Sequence, residues 1–259
     1  MADLYHHGVK GQKWGVRRKQ KSVDTREFHK EGKQFKTKAN GDIEIPKGHT
    51  FNRVSRGKSR FNEAGGLYVS SGKRDAARYI KSLGPSTIGN LLKNSGDRID
   101  HISVKSKLKM PSDEKTIVGT AELLKKNPKL LKAFNDSIFS GAVAGDLSRD
   151  LTIKDIDVAL KNPKGKTARK LAWGLSGILG DANNAKESKM VIDYFKSQGY
   201  DAIPDMFDKM SGTSENPIIV VNPNKVSVTS STALDKDLRK KAKKYIKQFA
   251  DLPIDSALD

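Results

Sequence analysis

The chain has 259 residues, 36% hydrophobic and 31% charged, with a formal net charge of +19, which suits one well-solvated main domain with appendages better than wholesale disorder. Cysteine is absent, which excludes a disulfide framework, a thiolate metal site and a thiol nucleophile. Five histidines without HExxH spacing argue against a zinc hydrolase, and with no membrane-length apolar run and no secretory apolar core the expectation is a chain made and folded in a cytoplasm.

From residue 1 to 40 there is little apolar periodicity and much Lys and Arg, which predicts a flexible basic arm. The folded part is expected from about Gly41. Ile43 and Ile45 alternate with polar residues, Pro46-Lys47-Gly48 reads as a turn, and Phe51 to Val54 resumes strand character. A further strand over 66–71 is followed by Ser71 and Asp75, a cap and a first-turn acid for a helical face of Ala76, Ala77, Ile80 and Leu83.

Alternation of Ile102, Val104, Ser106, Leu108 and Met110 predicts one strand with lysines on its wet face. Residues 112–198 read as mainly helical. Ile117, Ala121 and Leu124 share a face, Pro128 opens a helix ahead of Leu131, Phe134 and Ile138, and Thr152 with Asp155 resembles a capping pair. Met190, Val191, Tyr194 and Phe195 form the face of a last helix in this stretch, which Gly199 ends as a left-handed cap. Ile218 to Val221 is an apolar run short enough for a buried strand, and Val226 to Val228 is its edge continuation. Leu234, Leu238, Ala242, Tyr245 and Phe249 recur at helical spacing in a strongly basic tail over 233–259, an amphipathic C-terminal helix.

Three strand-like segments place polar side chains where a ligand can meet them: Arg53, Ser70 with Ser71, and Glu215. Singly, each has a plainer reading: a surface ion pair, a strand end with a helix cap, and a loop carboxylate. Together, IPKGHTFNRVS (45–55), GLYVSS (66–71) with Asp75 and Tyr79 following, and GYDAI (199–203) leading to ENPIIVVNP (215–223) resemble the ADP-ribosyltransferase fold. These segments frame most of residues 41–228. The resemblance implies an α+β protein with a split β-sheet core, a domain over 41–232, and a helical insertion in its middle.

It also implies NAD as the substrate. Arg53, Ser70 or Ser71, and Glu215 match the residues that surround NAD in that family. A guanidinium can hold a pyrophosphate through paired charge-assisted hydrogen bonds, a carboxylate beside the ribose stabilises positive charge building on the sugar, and Tyr68 or Tyr79 offers a flat surface for nicotinamide. The middle block is Val69-Ser70-Ser71 where the family has Ser-Thr-Ser. Thr213 stands two before Glu215 where relatives that modify arginine carry Glu or Gln, so arginine is not indicated as acceptor. Glutamate, serine, nucleic acid and simple NAD hydrolysis stay open.

The arm contains HHGVKGQKWGVRR at 6–18. Its glycines let a short peptide adapt to a groove, Trp14 is a burial anchor, and Arg17 and Arg18 supply charge. The string resembles one that recurs in head, portal-associated and toxin-like proteins of tailed phages and prophages. With the fold resemblance above, the expectation is a phage-encoded mono-ADP-ribosyltransferase-like protein in the virion or host cytoplasm, and our hypothesis for the string is recruitment to head or portal proteins through Trp14, Arg17 and Arg18. The alternative is a noncatalytic head-associated protein on the same fold, holding nucleic acid by its basic surface.

Overall fold

The structure, a computed structural model, describes residues 35, 37–55, 57–72, 75–76, 79, 98–140, 150–180, 184–206, 209, 214, 217–240 and 242. Its strands are β1 (Asp42–Ile45), β2 (Thr50–Ser55), β3 (Leu67–Ser71), β4 (Arg98–Val104), β5 (Leu108–Pro111), β6 (Ala202–Pro204), β7 (Pro217–Val220) and β8 (Val226–Ala233). Between β5 and β6 run α1 (Asp113–Lys126), α2 (Pro128–Ser140), α3 (Ile153–Lys161), α4 (Lys166–Gly180) and α5 (Ala185–Ser197). Strands β1 and β5 pair as a small antiparallel sheet, and the other six form one antiparallel sheet in the order β6-β7-β3-β2-β4-β8. The architecture is thus α+β. Among the described residues no helix is long and apolar enough to cross a membrane.

Two hydrophobic cores flank the large sheet. One gathers Phe51, Leu67, Val69, Ile102, Ile218 and Val220 of the large sheet with Ile45, Leu108 and Met110 of the small one. The other gathers Ile203, Ile219 and Val221 with the apolar faces of the helices, including Ile117, Leu124, Phe134, Leu171 and Phe195. Successive residues of β7 therefore enter opposite cores, which is why 218–221 is continuously apolar instead of alternating. Leu234 and Ala242 pack on Ile99, with Val54 and Leu238 beside them. Tyr245 and Phe249 lie outside the described residues.

The expected single strand through Met110 is two strands in different sheets. β4 ends at Val104, and residues 105–107 turn the chain before β5 begins. Val104 accepts a hydrogen bond from Gly48 N, and Lys105 N donates to Lys225 O, which anchors the corner to its neighbours. Alternation carries through because Ile102, Val104, Leu108 and Met110 all face the same core. A period-2 pattern reports the face of a strand, not a corner within it.

The helix signals act where they were read. Thr152 and Asp155 form a reciprocal capping box at the start of α3, Pro128 is the first residue of α2, and Gly199 follows α5 with φ of 78°. Ser112 caps α1 by accepting from Lys115 N. Chain contacts among the described residues already start at Phe35, whose ring meets His49 edge-on, and at Thr37, which bridges to Ile43.

Asp42 ties the small sheet to the helices. Only 5% exposed, it accepts from Lys115 Nζ (2.8 Å), Tyr200 Oη (3.0 Å) and Asn40 Nδ2 (3.0 Å), with Lys109 Nζ at 3.2 Å. Burial pushes its carboxyl up, but hydrogen bonds from Lys115, Lys109 and Tyr200 outweigh that and bring it down to about 2. With its folded pKa depressed, Asp42 contributes stability that is present above the ordinary carboxylate value and is lost as pH falls through about 2. Asp42→Asn is expected to destabilise the fold by about 1–3 kcal/mol at neutral pH. In urea melts across pH, the gap between the two proteins should close between about pH 4 and pH 2.

A second packing constraint lies between α2 and α4. A Cβ built on Gly174 would sit 2.1 Å from Cε1 of Phe134, whose side chain is fully buried. Gly174→Ala is expected to lower stability by about 1–3 kcal/mol through overpacking, despite alanine's better helix propensity, as read from the urea midpoint.

Candidate functional site

Strand β2 is shared unequally between its neighbours. Its pairing with β4 covers the whole strand, from Thr50↔Ser103 to Ser55↔Arg98. With β3 it pairs only at Phe51↔Ser71 and Asn52↔Ser70. Meanwhile β3 stays with β7 from Leu67↔Val220 to Ser70↔Pro217. The large sheet therefore splits between β2 and β3, and Arg53 is the first residue past the last paired position.

Arg53 spans the split with its side chain. Nη1 donates to the main-chain oxygen of Tyr68 at 2.7 Å, standing in for the ladder bond that the diverging strands no longer make. Its Nε is shielded from water and has no hydrogen-bond partner among the described residues. A buried donor without an acceptor costs about 1–3 kcal/mol, so it marks a place where an acceptor from elsewhere is favoured. Burial lowers the guanidinium pKa, while Tyr68, Asp100 and Tyr79 act in the opposite direction. The structure thus brings Arg53, Tyr68 and Tyr79 into one electrostatic neighbourhood.

Asp100 is the cross-strand partner of Arg53 and is fully buried. Its carboxylate accepts from Arg98 Nε at 3.0 Å, from Ser59 N at 2.7 Å and from the Ser231 hydroxyl. Held on three sides, this charge is a fixed neighbour of the guanidinium.

The closed end of the split is clamped by polar side chains. Asn52 Nδ2 donates to Gly72 O at 3.3 Å, its Oδ1 lies 2.9 Å from His101 Nδ1, and its main-chain oxygen accepts from Ser70 Oγ at 3.3 Å. A register shift between β4 and β8 falls at His101 and Ile102. Ser71 Oγ lies 3.0 Å from His49 Nε2. The His49 ring meets Phe35 and Phe51 edge-on, and burial pushes its pKa down. Ser70 and Ser71 are both buried, at 1% and 3% exposure, and as neighbours in a strand they face opposite sides of the sheet.

Tyr68 reaches the helical layer. Its ring packs on the helical core, and its hydroxyl donates to Leu179 O of α4 at 2.5 Å. Past β3, Asp75 is buried and accepts from the hydroxyl of buried Ser214 at 2.6 Å. Glu215, Trp14, Arg17 and Arg18 lie outside the described residues. Asp201 of the GYDAI segment is a turn anchor that accepts from Lys109 N, Asn222 Nδ2 and Lys225 Nζ.

A cavity of about 500 Å³ opens nearby, floored by Ile43, Met110, Ile117 and Ile218 and edged by Lys38, Lys164 and Lys209. Arg53, Ser70 and Ser71 do not line it. Pro217, which does, pairs with Ser70. All three lysines are engaged with carboxylates: Lys38 with Glu44, Lys164 with Glu114 and Lys209 with Asp113. Among the described residues no group of His, Cys, Asp and Glu side chains is placed to hold a metal ion.

Compared with protein-family models, curated proteins and solved structures, the chain matches none. The site therefore rests on its own geometry. Sequence reasoning missed Asn52, His49, His101 and Ser214. Asn52 and His49 sit inside the block read for Arg53, where a polar residue on a strand was the available signal. His101 and Ser214 carry no local signal, since their partners are distant in the chain.

The guanidinium offers an anion a fork whose Nε has no partner among the described residues. Arg53→Lys keeps the charge and removes the fork. Calorimetric titration with inorganic pyrophosphate is expected to show about tenfold weaker binding in this variant, the loss of one charge-assisted hydrogen bond.

Proposed function

We propose that the chain binds NAD at the split between β2 and β3 and transfers ADP-ribose from it to a macromolecular target. The observation that carries this reading is Arg53 at the point where the strands part, with a shielded Nε that lacks a partner among the described residues. The donor set suits a pyrophosphate, which supplies oxygens on both sides of a guanidinium fork. Support also comes from the sheet: Arg53 lies on β2, Ser70 on the adjacent β3, and the segment bearing Glu215 leads into β7, whose Pro217 pairs with Ser70.

NAD supplies the chemistry: its bond between ribose and nicotinamide breaks as positive charge builds on the sugar. Arg53 holds the pyrophosphate and fixes its register. Ser70, bonded to the main chain of Asn52, steadies the edge of the split. Glu215 places a carboxylate beside the developing charge and stabilises it more in the transition state than in the ground state. Tyr79 offers aromatic surface to nicotinamide, while the Tyr68 ring is engaged with the helical core and its main-chain oxygen holds Arg53. Trp14, Arg17 and Arg18 of the 6–18 string attach the protein to phage head or portal proteins, so that it travels in the virion.

The net charge of +19 favours a second reading, a noncatalytic head-associated protein that rests on packaged DNA. Incubation of the full chain with labelled NAD and host lysate separates the two. Labelling of a macromolecule is expected from the natural chain, with the rate falling by about 10²–10³ in Glu215→Gln and KM for NAD little changed. Equal labelling by both proteins removes Glu215 from its role. No labelling by either folded protein favours the scaffold.

A further inference from the structure

We propose that Asp75 and Ser214 are a positioning pair that sets the start of the segment bearing Glu215 against the split. The proposal rests on the role given to Glu215 above. Ser214 is fully buried and Asp75 is 2% exposed. The Ser214 hydroxyl donates to Asp75 Oδ2 at 2.6 Å across a chain separation of 139 residues. Asp75 follows β3, the strand of Ser70, and Ser214 directly precedes Glu215.

The start of β7 needs such a tie. Its first residue is Pro217, whose main chain is turned toward β6 and away from β3, since the N and C=O of one strand residue point to the same neighbour. Pro217 accepts from Asp205 N at 2.9 Å, and that bond fixes it to β6's side of the sheet. The Asp75–Ser214 bond supplies the anchor on the β3 side, just upstream of Glu215. Shielded from water, a bond between a hydroxyl and a carboxyl group is strong and directional. It fixes the chain at Ser214, while the Ser70↔Pro217 pairing fixes it again at Pro217. A catalytic carboxylate loses much of its effect when misplaced by about 1 Å, so two anchors flanking Glu215 serve chemistry as well as folding.

The test uses the full chain, with NAD as the probe, and measures kcat and KM for NAD consumption beside circular dichroism and the urea midpoint. Ser214→Ala is expected to lower kcat about tenfold or more with KM within about twofold. Ser214→Thr, which keeps the hydroxyl, should recover most of the rate. Adding Asp75→Asn to Ser214→Ala should bring less than the sum of the two single losses, since the two share one bond. Unchanged kcat in Ser214→Ala overturns the pair, and so does a loss matched by an equal loss of folded protein. Should Ser214→Ala fail to fold, the same division between kcat and KM is read in Asp75→Asn. A folded natural chain that consumes no NAD overturns the role of Glu215 and this proposal together, an outcome distinct from an active chain indifferent to Ser214→Ala.

Discussion

Strand β2 cannot serve both of its neighbours, and the candidate site is the consequence. It pairs with β4 along its full length and with β3 at only two positions. Past Asn52 the main-chain groups of β3 that would face β2 need other partners, because buried polar groups are rarely left unpaired. Arg53 satisfies one of them by donating to Tyr68 O. The side chain that bridges the opening is therefore also the one that a ligand would meet there. Asp100 across the ladder, itself held by Arg98, Ser59 and Ser231, keeps a negative charge beside it.

Both cores depend on how the sheet parts. The core shared with β1 and β5 holds both Phe51 of β2 and Val69 of β3, so that the two strands stay packed on a common core beside the split. On the other face, Tyr68 projects from the same stretch of β3 into the helical core and donates to the end of α4. The helical insertion is thereby fastened to the strand at the edge of the split. Asp42 performs a similar service further along, joining β1 and β5 to α1 and to Tyr200 after α5.

Much of this was legible in the sequence. The capping box at Thr152, Pro128 at a helix start and Gly199 past a helix end act through neighbours a few residues away, so their meaning survives without a tertiary context. The apolar run at 218–221 likewise announced a strand covered on both faces. Alternation from Ile102 to Met110 was read correctly for face and wrongly for continuity, because two strands lining one core keep the same phase through a turn. Arg53, Ser70 and Ser71 were singled out from their block pattern; in the fold Arg53 stands just past the last β2–β3 pair, and Ser70 and Ser71 form the two pairs before it.

By itself, then, the sequence determined the local elements, the buried faces and a strongly basic chain without thiol chemistry. Those properties arise from side-chain period, backbone preference and composition, which act over short distances along the chain. Only the tertiary structure decided that β2 abandons β3 after Asn52, that Arg53 Nε stands shielded and without a partner among the described residues, and that Asp75 meets Ser214. These are outcomes of which strands pair and where they part. Such choices are made by long-range packing, and no periodicity within a single segment records them.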